Sequence, residues 1–283
     1  MKNKIIIIAS AITLAAVIAV VAFLSWDNRP DIPLVSTKPA QTQTNPNVVT
    51  VTFPEGYTVM QIAELLAKNG VCSKTEFLEQ CNKPVDSIDI KNDGERVFLL
   101  EGYVFPDTYE FYLNSTPDEV LERFIENFNN KFTEDMRKRA ADLGYSVDEI
   151  ITLASIIQKE CDEDIAECVN VSSVFHNRLN SSRNSYLGSD VTYFYLKNMA
   201  DYLGGADSKK FDSFLTNYYT YTNYRKGLPV GAICNPGFKA ITAALYPANT
   251  DYFYFLTDKT GKNFYYAKTI EEHNQNGKKA GIL

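Results

Sequence analysis

The pattern of hydrophobic and polar positions changes along the chain and predicts an α+β fold. Residues 5–24 form an unbroken apolar run whose length matches a helix that spans a bilayer. Residues 48–53 alternate between apolar and polar side chains, which predicts a strand. Apolar residues recur at helical spacing through much of the middle of the chain. Near its end, residues 252–257 and 264–266 flank a turn-forming segment and predict a β-hairpin.

Capping residues mark where the predicted helices begin. A Ser or Thr precedes each of several runs with helical spacing, and its side chain can accept a hydrogen bond from a free N–H group of the first turn. The predicted caps are Thr58, Ser73, Thr116, Ser146 and Thr269. The helix after Ser146 is expected to extend to Glu160, and a further helix is expected over residues 166–179.

Two segments rich in aromatic residues are expected to lie outside helices. Residues 101–111 (EGYVFPDTYEF) contain Gly102 and Pro106, which interrupt both helical and strand patterns, so this segment is predicted to be an ordered loop. Residues 188–192 are expected to lead into a strand rich in Tyr.

Charges around the apolar run of residues 5–24 predict its orientation. Lys2 and Lys4 precede the run, and the positive-inside rule therefore places the N-terminus in the cytoplasm. A cleaved signal peptide is the alternative, but the run is long for one and lacks a clear small-residue cleavage site. We therefore expect a single-pass anchor in the cell membrane, with everything after Trp26 outside the cytoplasm.

Composition divides the chain into four predicted parts. Residues 1–26 are the cytoplasmic N-terminus and the transmembrane anchor, and residues 27–47, rich in Pro, Thr, Asn and Gln, are a flexible linker. Residues 48–96 contain a strand and two short helices, which is the size of a small wall-binding module of the LysM type. Residues 97–283 form a larger mixed α+β domain.

Charge and motif content argue against several classes of function. The chain has 283 residues and a net charge of −7, which argues against nucleic acid as the main partner. It contains no P-loop, dinucleotide fingerprint, nucleophile elbow or HExxH motif. With only two histidines, no order of Ser, His and Asp is worth proposing, and we expect neither a metal nor a cofactor.

The five cysteines leave the question of disulfides open. Cys72 and Cys81 are close in sequence, as are Cys161 and Cys168, so a local disulfide is possible within each pair. Cys234 would then have no partner for a local disulfide. Ordinary buried thiols are an equally good interpretation of all five residues.

Glu160 is the candidate acid that the pattern itself singles out. It follows Ile156 and Ile157 at helical spacing and so continues their apolar face, where a carboxylate fits poorly. It also lies near the predicted C-terminal end of its helix, where the helix dipole is negative. Both effects disfavour the ionised form and favour a carboxyl group that can act as a general acid. The alternative is a solvated residue at a frayed helix end.

Eight short blocks of sequence follow one another in a specific order. They are LEGYVFPDTY (100–109), ASIIQKE (154–160), VFHNRL (174–179), SDVT (189–192), GLPVGAICNPG (227–237), AITAALYP (240–247), YFYF (252–255) and EEHN (271–274). Together they resemble the endolytic murein transglycosylases of the YceG-like type, from about residue 48 to the end of the chain. The resemblance implies that residues 97–283 form a YceG-like catalytic domain, and that Glu160, which closes ASIIQKE, is the catalytic acid.

The same resemblance implies a reaction, which is cleavage of the β-1,4 bond between N-acetylmuramic acid and N-acetylglucosamine in peptidoglycan glycan strands. Glu160 would protonate the leaving oxygen and then take the proton of the muramoyl 6-hydroxyl, which leaves a 1,6-anhydro end. The family and the predicted anchor imply termination of nascent strands, with a peptidoglycan synthase or divisome protein as a candidate partner. Two alternatives stay open: a catalytically weak wall-binding scaffold, and a muramidase that hydrolyses the same bond.

Eight further residues are candidates for binding the glycan. Each also has a structural explanation: capping of a loop or turn for the carboxylates and the Thr, core packing for the tyrosines, and fixing the turn before Pro236 for the Asn that would hold an acetamido group. The candidates are Glu101, Asp107, Tyr109, Asp190, Thr192, Tyr218, Tyr221 and Asn235.

Four positions depart from the family's motifs. Val191 and Val230 each replace a Pro, Tyr219 replaces an Asn, and Asn263 occupies the place of a His. These departures concern the detail of the substrate groove rather than the class of reaction, because the acid itself is retained.

Overall fold

A computed structural model describes residues 47–90, 95–161, 164–182, 185–221 and 224–283. The described elements are helices together with two short antiparallel sheets, which confirms the predicted α+β class. Within the described ranges, no helix combines the length and the apolar character that crossing a membrane requires. The anchor predicted at residues 5–24 lies outside the described residues, as does the predicted linker up to residue 46.

The first sheet joins the start of the described chain to a strand much later in the sequence. Strand β1 (Val48–Thr52) pairs antiparallel with β2 (Thr108–Tyr112), so that Val48 lies opposite Tyr112 and Thr52 opposite Thr108. Helices α1 (Val59–Lys68) and α2 (Lys74–Gln80) lie between the two strands in sequence. Both helices begin at predicted caps, because Thr58 and Ser73 each accept a hydrogen bond from the first helical turn.

The expectation of a loop over residues 101–111 is wrong for its second half, which belongs to β2. The exposed and buried positions of this strand alternate, and Tyr109 and Phe111 point inwards. Their rings pack with Phe53 and Phe124. The unpaired edge of β1 and this aromatic cluster determine the strand, whereas Gly102 and Pro106 lie before it and do not interrupt it.

Four helices follow β2 and contribute buried residues to the core. They are α3 (Pro117–Lys131), α4 (Glu134–Asp142), α5 (Val147–Glu160) and α6 (Ile165–Leu179). Capping boxes begin α3 at Thr116 and α5 at Ser146, as the sequence predicts. Helix α5 is the centre of this group, because its residues from Ile150 to Gln158 are buried around the whole helix.

The segment after residue 188 was expected to be a strand and is instead helix α7 (Val191–Asn198). Its β-branched and aromatic residues favour strands in isolation. However, Thr192, Tyr195 and Leu196 are buried at spacings of three and four residues, and this single buried face suits a helix packed on the core. Tertiary contact has therefore overridden local propensity.

The C-terminal part returns to the core and ends in the predicted hairpin. Helices α8 (Lys209–Tyr218) and α9 (Phe238–Leu245) follow α7, and α9 packs on α5 and α6. Strands β3 (Tyr254–Thr257) and β4 (Phe264–Ala267) pair antiparallel, which confirms the hairpin. The last helix, α10 (Ile270–Lys279), begins at Thr269, again as predicted.

Several contacts cross the predicted boundary between residues 96 and 97. Strand β1 pairs with β2 across it, and the buried Arg96 forms an ion pair with Asp148 at the start of α5, with 2.5 Å between the nearest atoms. The structure groups Pro46–Leu283 into one compact unit. The division into a small module and a larger domain stays a prediction.

Candidate functional site

Glu160 is the last residue of α5, at the place that the pattern predicts. The helix ends there because Cys161 adopts an extended backbone, although its N–H still donates to the carbonyl of Ile157 at 2.8 Å. Ile156 and Ile157 are fully buried, and Glu160 is half-buried beside them. The carboxyl group therefore lies at the edge of the core, neither fully solvated nor sealed inside.

The carboxyl group of Glu160 is held by the hydroxyl of Ser189, which donates to Oε1 at 2.6 Å. Ser189 is itself fixed by two threonines. Its N–H donates to Oγ1 of Thr220 at 3.2 Å, and its carbonyl accepts from the hydroxyl of Thr192 at 2.8 Å. Both threonines are fully buried, so the turn before α7 is a rigid support for the acid.

Opposing effects set the protonation of Glu160. Burial is the largest of them and raises its pKa, and the nearby carboxylate of Asp190 raises it further. The hydrogen bond from Ser189 and the positive charge of Arg178 act in the other direction, but the pKa stays above the ordinary value. Arg178 is anchored by its Nε, which donates to the carbonyl of Phe253 at 2.7 Å.

The two oxygens of Glu160 differ in their hydrogen bonds. Among the described residues, Ser189 donates to Oε1, and none donates a hydrogen bond to Oε2. A carboxyl group with a raised pKa and a free oxygen can donate a proton to a bound substrate and accept one back. This is the chemistry of a single general acid and base.

The hydrogen bond from Ser189 can be tested without any substrate. Because this bond favours the ionised form, Ser189→Ala is expected to raise the pKa of Glu160 above its value in the unmodified chain. A carbon-13 NMR titration of the glutamate carboxyl groups, with the Glu160 signal assigned by Glu160→Gln, measures the change. Ser115→Ala, on an exposed turn, is the control. An unchanged Glu160 titration in Ser189→Ala would contradict this geometry.

Glu101 lies in the interior rather than at an open surface, with 1% of its area exposed. The N–H of Val59 and the side-chain amide of Asn235 donate to its Oε1 at 2.9 and 3.0 Å, and the hydroxyl of Tyr195 donates to Oε2 at 3.1 Å. Burial is the main cause that raises the pKa of Glu101 to about 8. Its contacts are thus with protein groups, as expected of a residue that braces the fold around the site.

Asn235 connects three segments of the chain and is fully buried. Its Oδ1 accepts from the N–H groups of Gly102 and Val104, both at 2.9 Å. Its Nδ2 donates to the carbonyl of Tyr57 at 3.0 Å and to Glu101. Every polar atom of this amide is used inside the protein, which matches the structural explanation rather than the binding of an acetamido group.

Removing the amide of Asn235 is expected to destabilise the fold. Asn235→Ala leaves the N–H groups of Gly102 and Val104 and the carbonyl of Tyr57 buried without that partner. We expect a loss of about 3 kcal/mol in the free energy of unfolding, measured by urea denaturation. Asn217→Ala, which removes one exposed hydrogen bond to the carbonyl of Glu95, is the matched control. An Asn235→Ala protein of normal stability that binds glycan poorly would instead support the acetamido role.

Three of the other candidates make structural contacts. Asp107 receives a hydrogen bond from Asn127 at 3.1 Å and an ion pair from Lys131 at 3.2 Å, within the β1–β2 region. Tyr109 is buried there and donates to the carbonyl of Phe105 at 2.7 Å. Tyr218 is fully buried at the end of α8. Their predicted roles in binding glycan stay predictions. The structure places Tyr109 and Tyr218 in the packed core, whereas Asp107 is partly exposed.

Two candidates lie beside Glu160. Asp190 is exposed at the start of α7, and its charge raises the pKa of Glu160. Tyr221 is 38% exposed, and its pKa is raised by burial first and also by the charges of Asp190 and Glu160. Thr192 lies behind this surface and supports Ser189. The fold thus brings Asp190, Thr192 and Tyr221 together with the acid.

The residues missed by the sequence analysis are those that hold the acid: Ser189, Arg178 and Thr220. All three lie within or next to segments that were singled out as motifs, which was the available signal. Their roles depend on contacts between segments far apart in sequence, such as the 29 positions between Glu160 and Ser189. Spacing along one segment could not reveal them.

The four departures from the family motifs lie in different environments. Val191 is the first residue of α7 and lines a cavity of 390 Å³ next to Lys159. Val230 is buried, and Asn263 donates to Asp258 in the hairpin turn at 2.6 Å. Tyr219 belongs to a group of tyrosines near Glu160.

A disulfide forms directly after the candidate acid. Cys161 and Cys168 are bonded, with Cα atoms 5.5 Å apart, whereas Cys72, Cys81 and Cys234 are free thiols. Of the two pairs of cysteines that are close in sequence, Cys161 and Cys168 are therefore bridged, and Cys72 and Cys81 are not. The bridge connects the residue after the end of α5 to the first turn of α6.

Loss of this bridge is expected to lower stability. It closes a short loop, so Cys168→Ser should reduce the free energy of unfolding by about 2 to 3 kcal/mol. Urea denaturation with and without a reductant measures this, and reduction should lower the unfolding midpoint of the unmodified chain but not that of the variant. Cys72→Ser, at a free and partly exposed thiol, is the control. Equal midpoints for the unmodified and Cys168→Ser proteins would contradict a structural bridge.

Comparisons with known proteins agree on one group. A model described as the YceG-like family matches residues 34–279. A Bacillus subtilis protein named endolytic murein transglycosylase is 32% identical over 80% of this chain and 63% of its own length. A Streptococcus pneumoniae protein of the same name is 29% identical over 82% of this chain. The chain spans only 44% of that protein's length.

A solved structure has the same fold. The crystal structure of a yceG-like protein from Listeria monocytogenes superposes with a TM-score of 0.67 at 29% sequence identity. The match covers 80% of this chain and 75% of the Listeria chain.

Proposed function

The chain belongs to the YceG-like family, and on that premise we propose that it is an endolytic lytic transglycosylase of peptidoglycan. The relatives from Bacillus and Streptococcus, both named endolytic murein transglycosylase, support this class of reaction. The observation that carries the proposal is the environment of Glu160, a half-buried carboxyl group with a raised pKa. Ser189 donates to one of its oxygens, and the other oxygen has no donor among the residues that the structure describes.

In the first step Glu160 acts as a general acid. Its raised pKa favours the protonated form, and the oxygen that does not accept from Ser189 would donate the proton. The proton passes to the glycosidic oxygen between N-acetylmuramic acid and N-acetylglucosamine, and the bond from that oxygen to the anomeric carbon breaks. Ser189 and Arg178 then stabilise the carboxylate that remains, through its hydrogen bond and its positive charge respectively.

In the second step the same carboxylate acts as a base. It takes the proton of the muramoyl 6-hydroxyl while that oxygen bonds to the anomeric carbon, which gives a 1,6-anhydro end and consumes no water. Glycosidases that hydrolyse such bonds ordinarily use two carboxyl groups, one of them as nucleophile or as base for water. An internal nucleophile removes the need for the second group, so one acid and base is sufficient.

Hydrolysis is the second candidate, because Asp190 is an exposed carboxylate close enough to raise the pKa of Glu160. In that reaction Asp190 would activate a water molecule in place of the muramoyl hydroxyl. The product would then be a free reducing end. We favour the transglycosylase reaction because Asp190 has no catalytic step in it and contributes only the effect of its charge on the pKa of Glu160.

The cellular setting is part of the proposal. We infer that the apolar run at residues 5–24 anchors the protein in the cell membrane, with the catalytic part outside the cytoplasm. We propose that residues 48–96, which include β1, α1 and α2, form a small LysM-like module for holding the wall. From that position the enzyme would terminate nascent glycan strands beside a peptidoglycan synthase or divisome protein.

Product analysis tests the proposed reaction. The full chain, kept in mild detergent, is incubated with purified peptidoglycan, and the released fragments are identified by mass spectrometry. We expect cleavage at bonds within the glycan strands, which gives fragments with 1,6-anhydro ends. Free reducing ends would replace the proposal by a muramidase, and the absence of any fragment from a folded protein that binds peptidoglycan would replace it by a scaffold.

A further inference from the structure

Four tyrosines form a continuous cluster around Tyr219. The ring centroid of Tyr219 lies 4.8 Å from that of Tyr224, 5.2 Å from that of Tyr221 and 5.5 Å from that of Tyr193. Tyr221 and Tyr224 are 38% and 48% exposed, and Tyr193 and Tyr219 are partly exposed. Such an open group of aromatic faces is unlike the sealed core tyrosines of this protein, for example Tyr218.

The tyrosine cluster is fixed in place next to Glu160. Thr220, between Tyr219 and Tyr221, accepts a hydrogen bond at its hydroxyl oxygen from the N–H of Ser189, which in turn holds the acid. Tyr193 lies on α7, which begins two residues after Ser189. The cluster and the acid therefore share one rigid support, and neither can shift far without the other.

Electrostatic coupling indicates the same proximity. After burial, the charge of Asp190 is the next cause that raises the pKa values of both Tyr219 and Tyr221. Asp190 also raises the pKa of Glu160, and the charge of Glu160 in turn acts on Tyr221. The acid, Asp190 and the aromatic faces thus line one surface.

We propose that Tyr193, Tyr219, Tyr221 and Tyr224 form an aromatic platform that stacks on a sugar ring of the glycan strand next to the bond being cleaved, with Tyr219 at its centre. Aromatic side chains combine a broad apolar face with a hydroxyl group, which matches the apolar face and polar edge of a pyranose ring. The inference rests on the proposed function and adds a subsite to it. It assigns to Tyr219 a role in holding the glycan backbone rather than the peptide stems.

Binding measurements in a form that cannot cleave test the platform. The full chain carries Glu160→Gln, and binding is measured to two probes. One is peptidoglycan glycan strands stripped of their peptides, and the other is the same strands with their peptides retained. Tyr219→Asn in this background is expected to weaken binding about fivefold to tenfold. Tyr219→Phe keeps the ring and should bind within about twofold of the parent. Tyr202→Asn, at an exposed tyrosine with no proposed role in binding, is the control and should leave binding unchanged.

Each other outcome is decisive. Equal binding by the parent and Tyr219→Asn overturns the platform while leaving the proposed reaction intact. If Tyr219→Phe weakens binding as much as Tyr219→Asn does, stacking is overturned, because loss of the hydroxyl group would then account for the whole effect. A parent that binds only strands that retain their peptides overturns the assignment to the sugar. A parent that binds neither probe overturns the proposed function together with the platform.

Discussion

Replacing Glu160 by Gln is expected to lower the rate of glycan cleavage by about a thousandfold. The amide has nearly the same shape and its oxygen can still accept the hydrogen bond from Ser189, so the fold and the local geometry are retained. What is lost is the proton that the leaving oxygen requires, and the base that the 6-hydroxyl requires afterwards. Because the proposed reaction uses one residue for both steps, a single substitution would remove both.

The rate of release of soluble fragments from purified peptidoglycan measures this loss. Glu122→Gln, on the exposed face of α3, is the matched control for a change from a carboxyl group to an amide. Retention of more than a tenth of the activity by Glu160→Gln would mean that another group supplies the proton. Asp190→Asn would then be the next variant to measure, because Asp190 is the exposed carboxylate beside the acid.

The buried carboxyl group of Glu101 is expected to make stability depend strongly on pH. Its pKa rises from 4.5 to about 8 on folding, mainly because burial disfavours the charged form. A group whose pKa is raised in the folded state contributes its full stability below the unfolded value and loses it as the pH rises through the folded value. The free energy of unfolding should therefore fall by about 5 kcal/mol between pH 4.5 and 8 from this group alone.

Glu101→Gln is expected to remove this dependence. The amide oxygen can still accept from Val59 and Asn235, and the amide N–H₂ can donate to the oxygen of Tyr195, so the neutral contacts are kept. Urea denaturation of both proteins across this pH range measures the difference, with Glu122→Gln as the control for loss of an exposed charge. If the free energies of unfolding of the unmodified chain and Glu101→Gln change with pH in the same way, Glu101 is ionised in the folded protein across this range.

Local signals in the sequence predicted much of the fold correctly. Ser146 and Glu149 form the capping box that begins α5, and the apolar spacing after them places Glu160 at the end of that helix. The two chain segments of the C-terminal hairpin were also found from their pattern and the turn between them. These features depend on residues close together in sequence, and for that reason a single sequence reveals them.

The features that the sequence analysis missed depend on distant contacts. Strand β2 exists because β1 offers a free edge, and α7 is helical because one of its faces packs on the core. The same holds for the site, where Ser189 reaches Glu160 only after the chain has folded. Asn235 was named as a candidate from its motif, and its burial and hydrogen bonds became known only from the structure.

The central claim is that Glu160 drives an internal attack by the sugar rather than hydrolysis, and isotopic labelling of the product tests it most directly. The full chain and its Glu160→Gln variant digest purified peptidoglycan in water enriched in oxygen-18, and the new ends are analysed by mass spectrometry. Our account predicts anhydro ends without the label from the unmodified chain and almost none from the variant. Labelled, free reducing ends, or equal products from both proteins, would contradict it.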